Sequence, residues 1–352
     1  MKQNLIIRIK NNLFLSEDKS LLYFQRSYSN GIEFSSNKIS KIILTTLNNK
    51  SAYKDVVDEL VLKLGILKKH VTMALDKMLE SGILEIYNSK VIKTKYIERY
   101  ERQLGFFDSC SPVVNFSDNI KRQEKLKNTH ILIIGIGGIG NYAALSYAAM
   151  GIGTITLIDG DRVEVSNLSR QILYRDDSIG ALKTKIAAEE LKKVNPACKV
   201  NAHQKYINSQ NNLDDILKQL KKIDFVFISA DQPKLLPYWV DELAINYKFS
   251  FMSCSYQTYT GFVGPIIKPK EKRLRAIGKH KAQFVKEQPL HVIKTNQNFK
   301  HPSTSASNAV LANVAVLESI KFILKLGNVN ILEKRAVFDL KTLTISYEEN
   351  LN

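Results

Sequence analysis

The sequence predicts an α/β fold over residues 111–352, preceded by a smaller α+β module in residues 1–90, and three observations carry that prediction. Residues 131–134 and 154–158 are short, almost wholly apolar runs separated by a glycine-rich turn and a small-residue helix, in the order strand, turn, helix, strand. A similar apolar run at 225–229 reads as a strand buried on both faces, as in a parallel sheet. The first ninety residues instead mix short strand patterns with three segments of helical period.

In chain order, residues 4–9, 13–15 and 21–24 read as short strands, with turn material at 17–20 and 27–31. Helical spacing follows in 36–47 (Ile39, Ile42, Ile43, Leu47), 52–64 (Val56, Val57, Leu60, Leu64) and 68–81 (Val71, Ala74, Leu75, Met78). Gly82 stops the third helix and 83–86 returns as a strand. A sheet with three helices is a winged-helix-like pattern. Lys68, Lys69, His70 and Lys77 on the third helix would suit DNA, an exposed sheet edge would suit an added peptide strand, and a purely structural dimerisation role fits as well. Residues 91–110 form a charged linker and an arginine-bearing segment, ERYERQLGFF, with Arg99 and Arg102.

The turn after residue 134 contains Gly135, Gly137, Gly138 and Gly140. A Cβ there would block the tight turn and keep backbone amides, backed by the positive end of the following helix, from an anionic phosphate. Asp159 closes the second strand, where a ribose hydroxyl lies in such units. The chain is uncharged from 131 to 158, long enough to cross a bilayer, but six glycines at the two turns and Asn141 argue for buried strand, helix and strand. GDRVEVSNLSRQ and GALKTK then follow, bringing Arg170 and Lys183; fixed cations are what phosphate chemistry needs where negative charge develops. Beyond them, 183–193 is an amphipathic helix, and 200–206 and 225–229 are strands. Asp231 follows the latter at the end where open α/β sheets bind ligands. Strands at 249–255 and 262–267, a helix over 303–324 and closing strands at 337–340 and 343–347 complete the pattern.

GxGGxG, DxDxVxxSNLxRQ and GxxKT in this order resemble the ATP-binding signature of the ThiF-like family, the adenylating enzymes related to ubiquitin activators and to the molybdopterin and thiamine sulfur-carrier activators. The resemblance implies a Rossmann-like ATP-binding domain in which Asp159 holds the ribose and Asp161 helps shape the site. It implies that Asn167, Arg170 and Gln171 line the triphosphate, that Arg170 and Lys183 neutralise charge, and that Asp231 binds magnesium. RYxRQ resembles the segment that opens the family domain, whose arginine crosses to a neighbouring subunit's ATP; this implies a homodimer with Arg102 as the crossing cation. The zinc-binding CxxC pairs of many relatives are missing, so no zinc is expected, and a covalent thioester with a ubiquitin-like protein is not expected either.

Together with the N-terminal module, the pattern resembles the family's peptide-modifying branch, which matures microcin-like and pantocin-like peptides. The implied activity is ATP-dependent activation of a side-chain carboxylate, a Glu, of a ribosomally made precursor peptide as an acyl adenylate for ring closure, with the leader bound at the N-terminal domain. Alternatives are nucleotidyl transfer to a peptide, adenylation of a sulfur-carrier protein, and a nucleotide-sensing DNA-binding regulator. Whole-chain properties fit a cytoplasmic enzyme with no membrane partner. Apolar content is 44%, the N-terminus lacks a continuous apolar signal region, and Cys110, Cys198 and Cys254 show no pairing pattern. A net charge of +17, with the basic stretch 268–300, favours an acidic partner, read here as the peptide rather than nucleic acid. His280, His291 and His301 have no ligand spacing.

Overall fold

A computed structural model describes residues 2, 4–27, 30–47, 51–88, 95–269 and 302–348. Most of the basic stretch, 270–301 with its three histidines, lies outside the described residues. The chain divides into two compact units, Met1–Lys125 and Leu126–Asn352. The sequence reading opened the second domain at 111; the structure groups 111–125 with the first unit, where Arg122 bonds the carbonyls of Phe107 and Ser111.

The first unit contains β1 (Ile6–Ile9), β2 (Phe14–Asp18), β3 (Leu21–Ser27), β4 (Asn30–Ser35), α1 (Lys38–Thr46), α2 (Tyr53–Leu64), α3 (Lys68–Glu80), β5 (Leu84–Tyr87) and α4 (Lys95–Cys110), and α5 (Phe116–Lys127) runs out of it. β1 pairs antiparallel with β5, and β2, β3 and β4 form a three-stranded meander. β4 is absent from the sequence reading. Its pairing with β3 sets Ile32 opposite Phe24 and Phe34 opposite Leu22, and this cross-strand contact supplies the order that a short Gly-containing run does not announce. Leu22, Phe24, Ile7, Val56, Leu60 and Leu75 share one core. The segment expected as a linker is helical from Lys95, because Ile97, Tyr100, Leu104 and Phe107 recur at helical spacing and are buried. The end of this helix is pinned by a buried ion pair, Lys10 Nζ to Asp108 Oδ1 at 2.7 Å, with the Val113 carbonyl accepting from the same ammonium.

The second unit contains β6 (His130–Ile134), α6 (Gly138–Ala149), β7 (Thr154–Ile158), α7 (Lys183–Val194), β8 (Lys199–His203), α8 (Gln210–Gln219), β9 (Phe225–Ile228), α9 (Leu236–Tyr247), β10 (Ser250–Gln257), β11 (Thr260–Val263), α10 (Ser305–Leu324), β12 (Arg335–Asp339) and β13 (Thr344–Glu348). Eight strands form one sheet in the order β13-β12-β11-β10-β9-β6-β7-β8. Pairs from β10 to β8 are parallel and those from β10 to β13 antiparallel. Strand alternation divides the core. Leu132, Ile134, Val226 and Ile228 pack with Leu213, Ile216 and Val240 of α8 and α9. On the other face Phe227 meets Tyr147 of α6 and Phe225 meets Phe322 of α10. By length and composition α10 is apolar enough to cross a membrane; here it packs on α6, with Leu311, Ala312, Ala315, Val316 and Ile320 buried. The chain turns back beside β6, with β7 and β8 on one side and β9 on the other. That switch point leaves a crevice at the strands' carboxyl ends.

Candidate nucleotide site

The crevice begins where β6 ends. Gly135 has φ +89°, and a Cβ on it would sit 2.7 Å from the backbone nitrogen of Ala230, which follows β9. The next peptide is held from both sides. The Ile136 N–H donates to Asp159 Oδ2 at 2.6 Å, and its carbonyl accepts from the Tyr174 hydroxyl at 2.9 Å. Gly137 then caps α6, with nothing within 4 Å of where its Cβ would lie. The first amides of α6 have no intrahelical acceptors, so this end presents donors and positive potential to the crevice. Gly140 serves differently from the expectation that it lines the nucleotide: it is buried and absent from the cavity wall. A Cβ there would lie 2.0 Å from the Gly135 carbonyl oxygen, so its role is close packing of helix on turn.

A cavity of about 420 Å³ occupies the crevice. Gly135, Gly137, Gly138, Asp159, Asp161, Asn167, Arg170, Gln171, Lys183 and Asp231 all line it. Both Asp159 oxygens accept backbone N–H groups, from Ile136 and, at 2.8 Å, from Asp161. Asp161 Oδ2 meets Lys183 Nζ at 2.8 Å, with the lysine side chain 7% exposed, and Oδ1 accepts from the Tyr206 hydroxyl at 2.9 Å. Burial pushes the Asp161 carboxyl up, but the Lys183 hydrogen bond and charge, helped by Tyr206, outweigh it and leave it below the ordinary aspartate value. Arg170 donates to the Ser166 carbonyl at 2.6 Å from the turn after a short 3-10 helix, Val165–Asn167. Asn167 is buried and accepts the Glu164 N–H at 3.1 Å.

Gln171 is 3% exposed and its Oε1 has no hydrogen-bond partner, unfilled polar capacity in the wall that suits a polar ligand or water. Asp231 is exposed at the β9 end and lies five residues before α9, too far to cap it. Arg102 belongs to the first unit, where it is exposed on α4. Cys254 is buried in β10, and burial pushes its thiol up. Burial likewise pushes the Cys198 thiol up to about 12. Among the described residues no group of three or more His, Cys, Asp or Glu side chains could hold a metal.

Sequence reasoning missed Lys205, Tyr206 and Tyr256 in the wall, and Asn308, whose buried amide lies against Gly138. None of these four belongs to a motif. Lys205 and Tyr206 follow a strand whose end carries no glycine or acidic signature, and Asn308 reaches the turn from α10, 170 positions later in the chain.

The ThiF family model matches residues 100–350. Adenylyltransferase and sulfurtransferase UBA4 of Saccharomyces cerevisiae is 34% identical over 158 residues, 45% of this chain and 33% of that protein. The chain therefore aligns with about a third of the length of that curated relative. Among solved structures, E. coli MccB with ATP superposes with a TM-score of 0.75 at 23% identity, covering 97% of this chain and 96% of that one. The same protein is solved with AMPCPP and MccA, at TM-score 0.74 and 22% identity over the same shares. PaaA superposes with a TM-score of 0.75 at 20% identity, covering 97% of this chain and 99% of that chain. At these identities the likeness shows the fold.

Proposed function

This chain belongs to the ThiF family, and from that premise we propose that it uses Mg-ATP to activate a side-chain carboxylate, a Glu, of an acidic precursor peptide as an acyl adenylate for ring closure. The observation that carries this reading is the convergence of a glycine turn, a buried Lys183 and Arg170 on one cavity at the sheet's switch point. The full-length likeness to MccB, a microcin C7 biosynthetic enzyme solved with ATP and with MccA, supports a peptide as the substrate. The net charge of +17 favours an acidic one.

In this reading the α6 amides and Gly137 receive phosphate oxygens and Asp159 receives the ribose. The peptide carboxylate attacks the α-phosphorus, and pyrophosphate leaves. Lys183 and Arg170 oppose the charge that develops. Asp231, with phosphate oxygens, suits magnesium, which proteins usually hold by one or two carboxylates plus nucleotide. An internal nucleophile of the bound peptide then displaces AMP from the activated carbonyl. Holding both ends in one pocket makes this step intramolecular, worth roughly 7–11 kcal/mol in the best cases. Arg102 completes the partner subunit's site in a homodimer, the first unit holds the leader, and the enzyme works in the cytoplasm.

The test mixes purified protein, Mg-ATP and an acidic precursor peptide encoded beside its gene, recording peptide mass and nucleotide products together. AMP with a peptide lighter by one or more waters is expected, and Lys183→Ala should lower the rate at least 100-fold, about 2.7 kcal/mol. Full activity in that variant would remove Lys183 from the mechanism, and nucleotide left on the peptide would replace cyclisation by nucleotidyl transfer. The likeness to UBA4 favours a second reading, adenylation of a sulfur-carrier protein. ATP–pyrophosphate exchange driven by such a protein and not by peptide would establish it.

A further inference from the structure

We propose that Tyr206 is the platform on which the nucleobase rests; this rests on the nucleotide reading of the cavity. One face of the Tyr206 ring lies on Gly160. A Cβ built on that glycine would be 2.6 Å from ring atoms Cδ1, Cδ2 and Cε1 alike, so only a glycine lets the ring settle there. The tip of the ring is held as well, by the 2.9 Å hydrogen bond from its hydroxyl to Asp161, itself paired with Lys183. Yet Tyr206 is 60% exposed and lines the cavity.

An aromatic ring fixed at one face and at its tip, with the rest of it open, has given up side-chain freedom without burying its apolar surface. Such a ring is preorganised for a flat partner. Gly160 directly follows Asp159, which the nucleotide reading assigns to the ribose, so the proposal sets the base on the ring and the phosphates at the glycine turn. Base–aromatic stacking tolerates every base but is strong enough to measure. The hydroxyl contact also joins this wall to Asp161 and Lys183, so the base end and the phosphate end share one hydrogen-bonded chain.

The test uses the full chain, with Tyr206→Leu to remove the ring and Tyr206→Phe to remove only the hydroxyl. Calorimetry measures adenosine, ATP and inorganic tripolyphosphate on each, and thermal melts check folding. Tyr206→Leu should weaken adenosine and ATP about tenfold, equivalent to ~1.4 kcal/mol, and leave tripolyphosphate unchanged. Tyr206→Phe should bind adenosine within about twofold of wild type. Wild-type adenosine affinity in Tyr206→Leu would overturn the proposal, as would equal losses of adenosine and tripolyphosphate. A raised peptide KM with adenosine binding intact would overturn it in favour of a peptide contact. A wild-type protein that binds no ATP at all would instead overturn the nucleotide reading on which the proposal stands.

Discussion

Lys183 illustrates how a cation can be kept inside a protein. Its side chain is 7% exposed, a position costly for a lone ammonium, and Asp161 at 2.8 Å offsets that cost. Because the pairing holds the Asp161 carboxyl below its ordinary value, its contribution to stability is complete above the unfolded aspartate value near ~4 and is lost as pH falls through the lower native value. Wild-type protein should therefore lose melting temperature on acidification below about pH 4 more steeply than Asp161→Asn, which starts lower at neutral pH. Calorimetric melts at a series of pH values decide this, and parallel slopes would show that the pair contributes nothing.

At the scale of the element, the strand-turn-helix from β6 into α6 contains two glycines with opposite jobs. Gly140 packs where a Cβ would meet the Gly135 carbonyl oxygen at 2.0 Å, so Gly140→Ala must push helix from turn; overpacking of this kind costs ~1–3 kcal/mol. Gly137 has open space around its Cβ position and a φ of −80°, which alanine adopts readily. Gly137→Ala should thus keep wild-type melting temperature but lose ATP binding at least tenfold, because the added methyl occupies the phosphate approach. Gly140→Ala should lower the melting temperature by several degrees, on the order of 2–4 °C per kcal/mol. Unchanged ATP affinity in Gly137→Ala would place the phosphates elsewhere. The motif GxGGxG announces all four glycines equally; only the packing of Ala230, Asn308 and Gly135 around them separates wall from support.

At the scale of the whole molecule, each unit has its own apolar core and its own buried charge. In the second, every residue of the parallel strands β6 and β9 is buried; the first combines its apolar core with the buried charge pairs Lys10–Asp108 and Arg8–Glu85. Asp108→Asn would leave the Lys10 ammonium buried beside a neutral amide, and breaking such a pair costs roughly 3–5 kcal/mol. Hydrogen exchange should then quicken across residues 1–125 while 126–352 keep wild-type protection. Equal acceleration in both would mean that the units unfold as one.

The βαβ unit, its glycine turn, Asp159, Arg170, Lys183 and Asp231 were legible in the sequence because each depends on local pattern: apolar runs set strands, glycines set the turn, and charged residues follow at fixed offsets. Helix α4 was read as a linker although its apolar period is present, since the charges of ERYERQ masked it, and β4 was missed because its partner strand orders it. Tyr206 and Asn308 were invisible for a further reason. Their neighbours are Gly160, Asp161 and Gly138, residues distant in sequence, and a contact between distant residues exists only after the sheet has brought the strand ends together. Local periodicity and turn chemistry therefore determined which elements form and where the glycine turn sits. Tertiary packing decided which side chains face the cavity, which pair with one another, and which glycine is wall or support.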